Sequence, residues 1–271
     1  MGAWAKSLFG REEFDSIGVI IAGRISIRRE KAVLELGDEL ISSHDAAYHG
    51  HIIRIGERIV PIVTNVYGAP AMVDLLTEMY DGGCRTVIFI GSAYGFPPAD
   101  VGMVTIPRQC YHFDGIYHPV VPDKVSSKPD KELVQKVKNI FKKEKVLFSE
   151  GPNISVPAVT LQPLHANEHY KKIKPYTLEM ELAACFSRGK DLGMRTAGIL
   201  VVSDTRSSKI RDLVKKEMRN EKLYQAIKIC LKNIHHFECS PLKTKKSFNI
   251  DEHLAAIVHD PEDRTNVYRK K

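Results

Sequence analysis

No stretch of this chain approaches the ~18 uncharged apolar residues that a membrane-spanning helix requires, so no membrane association is expected. Cysteine is sparse. The five present, Cys84, Cys110, Cys185, Cys230 and Cys239, form an odd, scattered set without a Cys-x-x-Cys. That argues against a disulfide scaffold or a zinc module and for a reduced, cytoplasmic protein. No metal site is expected. Met1 to Phe9 is too short and too weakly apolar for a secretory signal, and Lys6 stands where the myristoylation pattern places Ser or Thr. Internal repeats, low-complexity tracts and clear linkers are missing as well.

Acidic residues are the minority, 33 against 40 Lys and Arg, for a net charge of +7. The excess gathers in Thr205–Asn233, with nine basic and three acidic residues. A nucleic-acid face would interleave such a run with aromatics, and few are here. Ile210, Leu213, Val214, Ile227, Cys230, Leu231 and Ile234 recur at helical spacing instead. The lysines then form the solvated side of an amphipathic helix, and no nucleic-acid partner is expected.

Apolar residues are plentiful, at 43% of 271, which supplies a core and excludes intrinsic disorder for the chain as a whole. Ile17–Ala22 reads as a strand ending at Gly23, followed by a basic segment and a helix over Glu30–Leu40. His51–Ile55 and Arg58–Val63 read as a hairpin around Gly56-Glu57. Pro70 opens a helix with Met72, Leu75, Leu76 and Met79 on one face, stopped by Gly82-Gly83. Strands are expected at Thr86–Ile90, Val101–Ile106, Val146–Phe148 and Thr196–Ser203, and helices at Asp130–Lys143 and Thr177–Leu192. Strands alternating with helices, plus one hairpin, predict a three-layer αβα single domain with a mixed, partly parallel central sheet. It spans residues 1–237. Residues 238–271, with seven basic and six acidic side chains, form a C-terminal extension.

Ligands of such sheets bind outside the carboxyl ends of the strands. Three such ends carry chemistry: Gly23 with Arg28, Gly91-Ser92, and Ser203-Asp204. Each alone has a bland reading as a turn or a helix cap. Glu179 and Glu181 near a helix start could simply complement its dipole. His235-His236-Phe237-Glu238-Cys239 looks like a metal cluster, but adjacent helical side chains point apart, and a frayed helix end accounts for it. Cys185 reads as core. His112, Asp114 and His118 flank a loop, as turn residues or at a pocket mouth.

Taken together and in order, these pieces resemble the nucleoside phosphorylase family of hexameric purine nucleoside and uridine phosphorylases. The matching segments are Tyr67–Pro70, Gly83–Ser92, Val101–Pro107 with Asp114-Gly115, Leu178–Ala184 and Gly198–Asp204, so the resemblance runs over residues 15–235. The Glu179-Met180-Glu181 and Val202-Ser203-Asp204 pieces are its most specific parts.

The resemblance implies cleavage of a nucleoside's glycosidic bond. Positive charge builds on the sugar and negative charge on the leaving base, so rate comes from stabilising both and holding a nucleophile in line. By resemblance, Asp204 is the catalytic acid that protonates a purine at N7, with Ser203 and a stacking Phe148 completing the base site. Glu181 grips the ribose hydroxyls, Met180 packs on the sugar, and Glu179 contacts the sugar or faces solvent. Gly23, Arg28 and Ser92 hold phosphate. Phosphate is a co-substrate and no cofactor is expected. Partners are nucleoside, phosphate and further copies of the chain, as a homodimer or homohexamer.

The sequence also departs from the family. The Gly23–Arg28 loop is one residue longer than Gly-Asp-Pro-x-Arg, so Arg24 or Arg29 are alternatives to Arg28. Phe89 replaces a phosphate-binding Arg. Ser43–His49 lacks the Arg that a neighbouring subunit supplies, and Tyr94 replaces a small Gly. Arg85, His44 or His49 are possible substitutes. Between Phe148 and Lys174 there is Gln162 but no Arg, so the pyrimidine-reading Gln-x-Arg pair is missing. Glu150–Ser155 resembles the Glu-Gly-Pro stretch of trimeric purine and methylthioadenosine phosphorylases. The expected activity is phosphorolysis of a purine nucleoside, 5′-methylthioadenosine included. Hydrolysis by a nucleosidase, uridine phosphorolysis and noncatalytic nucleoside binding are the alternatives.

Overall fold

A computed structural model describes residues 3–23, 25–45, 48–116, 125–158, 172–205, 213–240 and 242. Among these, twelve strands form one mixed sheet: β1 (Ile17–Ala22), β2 (Glu39–Asp45), β3 (His49–Ile55), β4 (Arg58–Val66), β5 (Thr86–Gly95), β6 (Val104–Thr105), β7 (Gln109–His112), β8 (Ser126–Ser127), β9 (Phe148–Ser149), β10 (Pro152–Ser155), β11 (Thr177–Glu179) and β12 (Arg195–Thr205). The helices are α1 (Ala3–Phe9), α2 (Ile27–Leu34), α3 (Ala69–Asp81), α4 (Lys131–Lys143), α5 (Leu182–Leu192) and α6 (Leu213–Lys232).

The central strands are buried on both faces, so they read as continuous apolar runs. Alternation then assigns each side chain to a layer. Ile17, Val19 and Ile21 of β1 pack with Ile88 and Ile90 of β5 and Ala197, Ile199 and Val201 of β12 beneath α2, α4 and α6. Ile20, Val87, Phe89 and Leu200 face the opposite way, toward α1, α3 and α5. The result is the three-layer αβα arrangement, with helices on both faces of a partly parallel sheet.

The sheet's edges position the site. β12 runs parallel to β5 from Thr86 to Gly95 and occupies one whole edge of it. The other edge is divided. β1 pairs with Thr86–Ile90 in parallel, and β11 pairs antiparallel with Tyr94 and Gly95. Between the end of β1 and the start of β11 the sheet is open beside Ser92.

Several elements differ from the sequence reading. The helix expected at Glu30–Leu40 starts at Ile27, after Ser26, and stops at Leu34; residues 39 and 40 already belong to β2. The helix expected at Thr177–Leu192 is strand β11 followed by α5, with a break at Met180-Glu181. β5 continues past Ile90 to Gly95, and the Val101–Ile106 strand shrinks to Val104–Thr105. Helix α4 matches its expected span, with the Asp130 carboxylate accepting from Leu133 N–H at 2.9 Å as its N-cap. The hairpin and α3 also fall where expected. Of the residue 238–271 extension, all but 238–240 and 242 lies outside the described residues.

Candidate functional site

A cavity of about 170 Å³ sits where the sheet opens, at the carboxyl ends of β1, β5 and β12. Gly23, Ser92, Glu179, Met180, Glu181, Ser203 and Asp204 all line it, brought together from four separate stretches of chain. Tyr67 and Tyr94 complete its wall, and Tyr67 remains 46% exposed at the rim.

The two glutamates occupy this place because of the break between β11 and α5. Glu179 ends β11 in the interior. Its Oε1 accepts from Asn153 Nδ2 at 2.7 Å and from Ser155 Oγ, and its Oε2 accepts from Glu181 N–H at 2.6 Å and Leu182 N–H at 2.7 Å. Four donors and the N-terminal end of α5 thus converge on one carboxylate. Ser155 Oγ also accepts from Ala183 N–H at 2.9 Å. Glu179 is a helix cap reached from the preceding strand, not a helical residue facing solvent.

Glu181 has fewer donors. Its Oε1 accepts from Gly68 N–H at 2.7 Å and its Oε2 from Met180 N–H at 3.2 Å. Burial, and next the charge of Glu179, push its carboxyl up to about 8. Burial pushes Glu179 up as well, opposed by its hydrogen bonds. The two carboxyls titrate as a pair, both raised, with most of the hydrogen-bond donors on Glu179. Met180 lies between them, packed with Ile154, Val156 and Leu178, with Tyr94 alongside.

Ser203 and Asp204 reach the same cavity although they are sequence neighbours, which a regular strand forbids. A bulge explains it. Val202 pairs with Ala93 and Asp204 with Tyr94, leaving Ser203 as the extra residue. Ser203 Oγ donates to Asp204 Oδ1 and lies 3.1 Å from the Ala93 carbonyl. Arg219 of α6 is half-buried near Asp204: burial, then the charge of Arg29, lower its pKa, while Asp204 acts to raise it.

The phosphate-site candidates divide. Ser92 and Gly23 face the cavity. Gly23 adopts φ +87°, which its lack of a side chain permits, and a Cβ there would approach only Ser92 Oγ, at 4.0 Å. Its own N–H, however, donates to the Val66 carbonyl at 2.8 Å and is not available to an anion. Arg28 is exposed on the first turn of α2 and does not line the cavity; Arg24 lies outside the described residues. Phe89 is fully buried in the core, under Gly91. Arg85 is at the opposite end of β5, where Nη1 donates to the Tyr80 and Cys84 carbonyls and the guanidinium stacks 3.9 Å from the Tyr80 ring. His44 is exposed on β2 and His49 contacts Glu30. No Lys, Arg or His lines the cavity among the described residues.

Phe148 is a correction. It lies on β9, pairs beside β6, and lines a different cavity with Met103, Leu147 and Lys222. The aromatic walls of the strand-end cavity are Tyr67 and Tyr94. The sequence signal for Tyr67 was its place just before Gly68-Ala69-Pro70; nothing in the sequence pointed to Asn153 and Ser155, because their role depends on the pairing of β10 with β11. His112 and Asp114 are buried rather than at a mouth, with His112 2.9 Å from Ser187 Oγ and 3.2 Å from Asp114. His118 and Gln162 lie outside the described residues. All five cysteines are buried and free. No helix among the described residues is long and apolar enough to cross a membrane.

The sequence model of the Phosphorylase superfamily matches residues 18–234. This chain belongs to that superfamily. Solved structures agree on the fold. The chain is similar to the Campylobacter jejuni 5′-methylthioadenosine/S-adenosyl homocysteine nucleosidase, at 13% identity over 80% of this chain and 98% of that one, with a TM-score of 0.69. It is similar to Toxoplasma gondii purine nucleoside phosphorylase, solved with immucillin-H, at 14% identity over 84% and 94% of the two chains and a TM-score of 0.71. It is also similar to Vibrio fischeri uridine phosphorylase, at 18% identity over 80% and 91% and a TM-score of 0.70. Phosphorylase-superfamily enzymes are of pentosyltransferase type.

Proposed function

We propose that this superfamily member cleaves the N-glycosidic bond of a purine nucleoside by phosphorolysis, releasing free base and (deoxy)ribose 1-phosphate. One observation carries the reading: Gly23, Ser92, Met180, Glu181, Ser203 and Asp204, distant in sequence, share one cavity. Asp204, steadied by Ser203, delivers a proton to the departing purine. Glu181 hydrogen-bonds the ribose hydroxyls, accepting through one oxygen and, while protonated, donating through the other. Met180 shapes the sugar face. Glu179, saturated by its own donors, positions Glu181. Tyr67 and Tyr94 take the stacking place first given to Phe148. Phosphate is the co-substrate, with Ser92 as a donor to it and Arg28 recruited from the α2 turn; the reaction uses no cofactor. The reading goes with a cytoplasmic homodimer or homohexamer.

Hydrolysis is the second reading, and the lack of a Lys, Arg or His in the cavity lining among the described residues favours it. A water nucleophile needs no guanidinium, whereas a phosphate dianion beside buried carboxylates does. The test is product chromatography after incubation with inosine, guanosine, adenosine, methylthioadenosine and uridine, each with and without phosphate. Base with a sugar 1-phosphate, only when phosphate is present, is the expected result. Base with free sugar in its absence establishes the nucleosidase, and no release rejects both.

A further inference from the structure

Outside the strand-end cavity, a second polar cluster joins α2 to the β3–β4 hairpin. His49 and His51 lie two apart on β3 and so share a face. Glu30 approaches them from α2 and Thr64 from β4, where it pairs with His49. Glu30 Oε1 lies 2.8 Å from His49 Nδ1 and 3.2 Å from His51 Nε2, and it accepts from Thr64 Oγ1. Glu30 and His51 are buried and His49 half-buried. The three ligand-type atoms lie within 4.8 Å of one another.

Every buried polar atom of this cluster has a partner, but the partners of His49 Nδ1 compete for it. Asn65 Oδ1 accepts from Ile25 N–H at 2.9 Å, which fixes its amide so that Nδ2, a donor, faces His49 Nδ1 at 3.0 Å. A proton on Nδ1 leaves the Asn65 N–H facing another donor. Without that proton, a ring lone pair faces the Glu30 carboxylate at 2.8 Å. A cation between them takes that lone pair in place of the Asn65 N–H and removes the repulsion from Glu30. His51 is already anchored from behind, with Nδ1 3.0 Å from Ser43 Oγ, the kind of outer contact that orients a ligating imidazole.

We propose that Glu30 Oε1, His49 Nδ1 and His51 Nε2 bind one divalent first-row transition ion of the zinc class. Two imidazoles and a carboxylate suit such an ion; bonds of ~2.0–2.1 Å put its ligands about 3.3 Å apart, against 2.8 and 3.2 Å from Glu30 Oε1 to the two imidazole nitrogens and at most 4.8 Å between those nitrogens. Thr64 Oγ1 borders the site, 3.4 Å from His51 Nε2, and the exposed Asp45 carboxylate lies 3.7 Å from His49 Nδ1. Water fills the remaining position. The sequence reading expected no metal; Glu30 stands 19 residues from His49, and only the packing of α2 on the hairpin brings them together.

The test uses the full chain, stripped with a chelator and dialysed against Zn²⁺, with metal counted by mass spectrometry. One ion per chain is expected, with affinity at least tenfold weaker in His49→Gln and in Glu30→Gln, both checked for folding by circular dichroism. Cobalt bound to the unaltered chain should give visible ligand-field bands without a thiolate charge-transfer band, a readout that does not depend on any variant folding. No binding, a thiolate band, or affinity in both folded variants equal to that of the unaltered chain overturns the site. None of these measurements involves nucleoside cleavage, so the outcome is independent of the activity proposed above.

Discussion

Asp204 and Glu181 separate two jobs that carboxyl groups do in one cavity. Asp204 is half-buried, held by Ser203 and near the Arg219 guanidinium. Glu181 is enclosed, and its carboxyl is raised to about 8. Asp204→Asn keeps the shape and removes the carboxyl proposed above as proton donor. Turnover on purine nucleosides should fall about 10²–10⁴-fold with an unchanged circular dichroism spectrum. Glu181→Gln tests the buried proton through stability. The folded pKa lies above the ordinary 4.5, so the folded state holds the proton more tightly than the unfolded chain does. That contribution is fully present below about 4.5 and is lost as pH rises through about 8. Measured from pH 5 to 9, the melting temperature of the wild type should therefore drop relative to that of the Gln variant, with the gap growing toward pH 9. Parallel curves would show that Glu181 is ionised throughout.

At the level of elements, the junction of α5 with β12 sets the cavity wall. Gly198 lies under the first residue of α5, and a Cβ there would come within 2.7 Å of both Leu182 methyl carbons. Gly198→Ala should cost about 1–3 kcal/mol in urea unfolding and also raise the nucleoside KM, because α5 moves with Glu181 at its start. By contrast, Asp130→Ala removes the cap of α4 and a 2.8 Å pairing with Arg195, away from the cavity. It should cost on the order of 1–2 kcal/mol and leave KM unchanged. These elements were unequally legible in the sequence. β1, β5 and β12 announce themselves as buried apolar runs, and α4 by its cap and stripe. Thr177–Leu192 misleads because its apolar residues fit a helix throughout; what breaks it is the Glu179 carboxylate, held by Asn153 and Ser155 from a neighbouring strand. β2 was illegible because it is largely exposed and owes its extension to pairing with β3. Of the two-residue strands, β6 exists as a partner of the longer β12, and β9 in turn as a partner of β6.

Across the whole molecule, the strand-end site was legible as a set of residues and its electrostatics were not. The order Gly23, Ser92, Glu179-Met180-Glu181, Ser203-Asp204 marks the cavity. That Arg28 is exposed outside its lining and that Phe148 lines a different cavity depend on packing that no local pattern encodes. Phe89 shows how deeply the departure from the family is built in. It is fully buried between β5 and the layer of α1, α3 and α5. Phe89→Arg therefore places an unpaired cation in the core, and the expected outcome is loss of cooperative unfolding rather than tighter phosphate binding. The hydrogen bond from Gly68 N–H to Glu181 closes a span of 113 residues, and it bears on time as well as position. Contacts so distant along the chain form late in folding. The pairing of β5 with β12 spans nearly as far, from Thr86 to Arg195, so a refolding chain should regain its sheet signal and its strand-end cavity in the same slow phase.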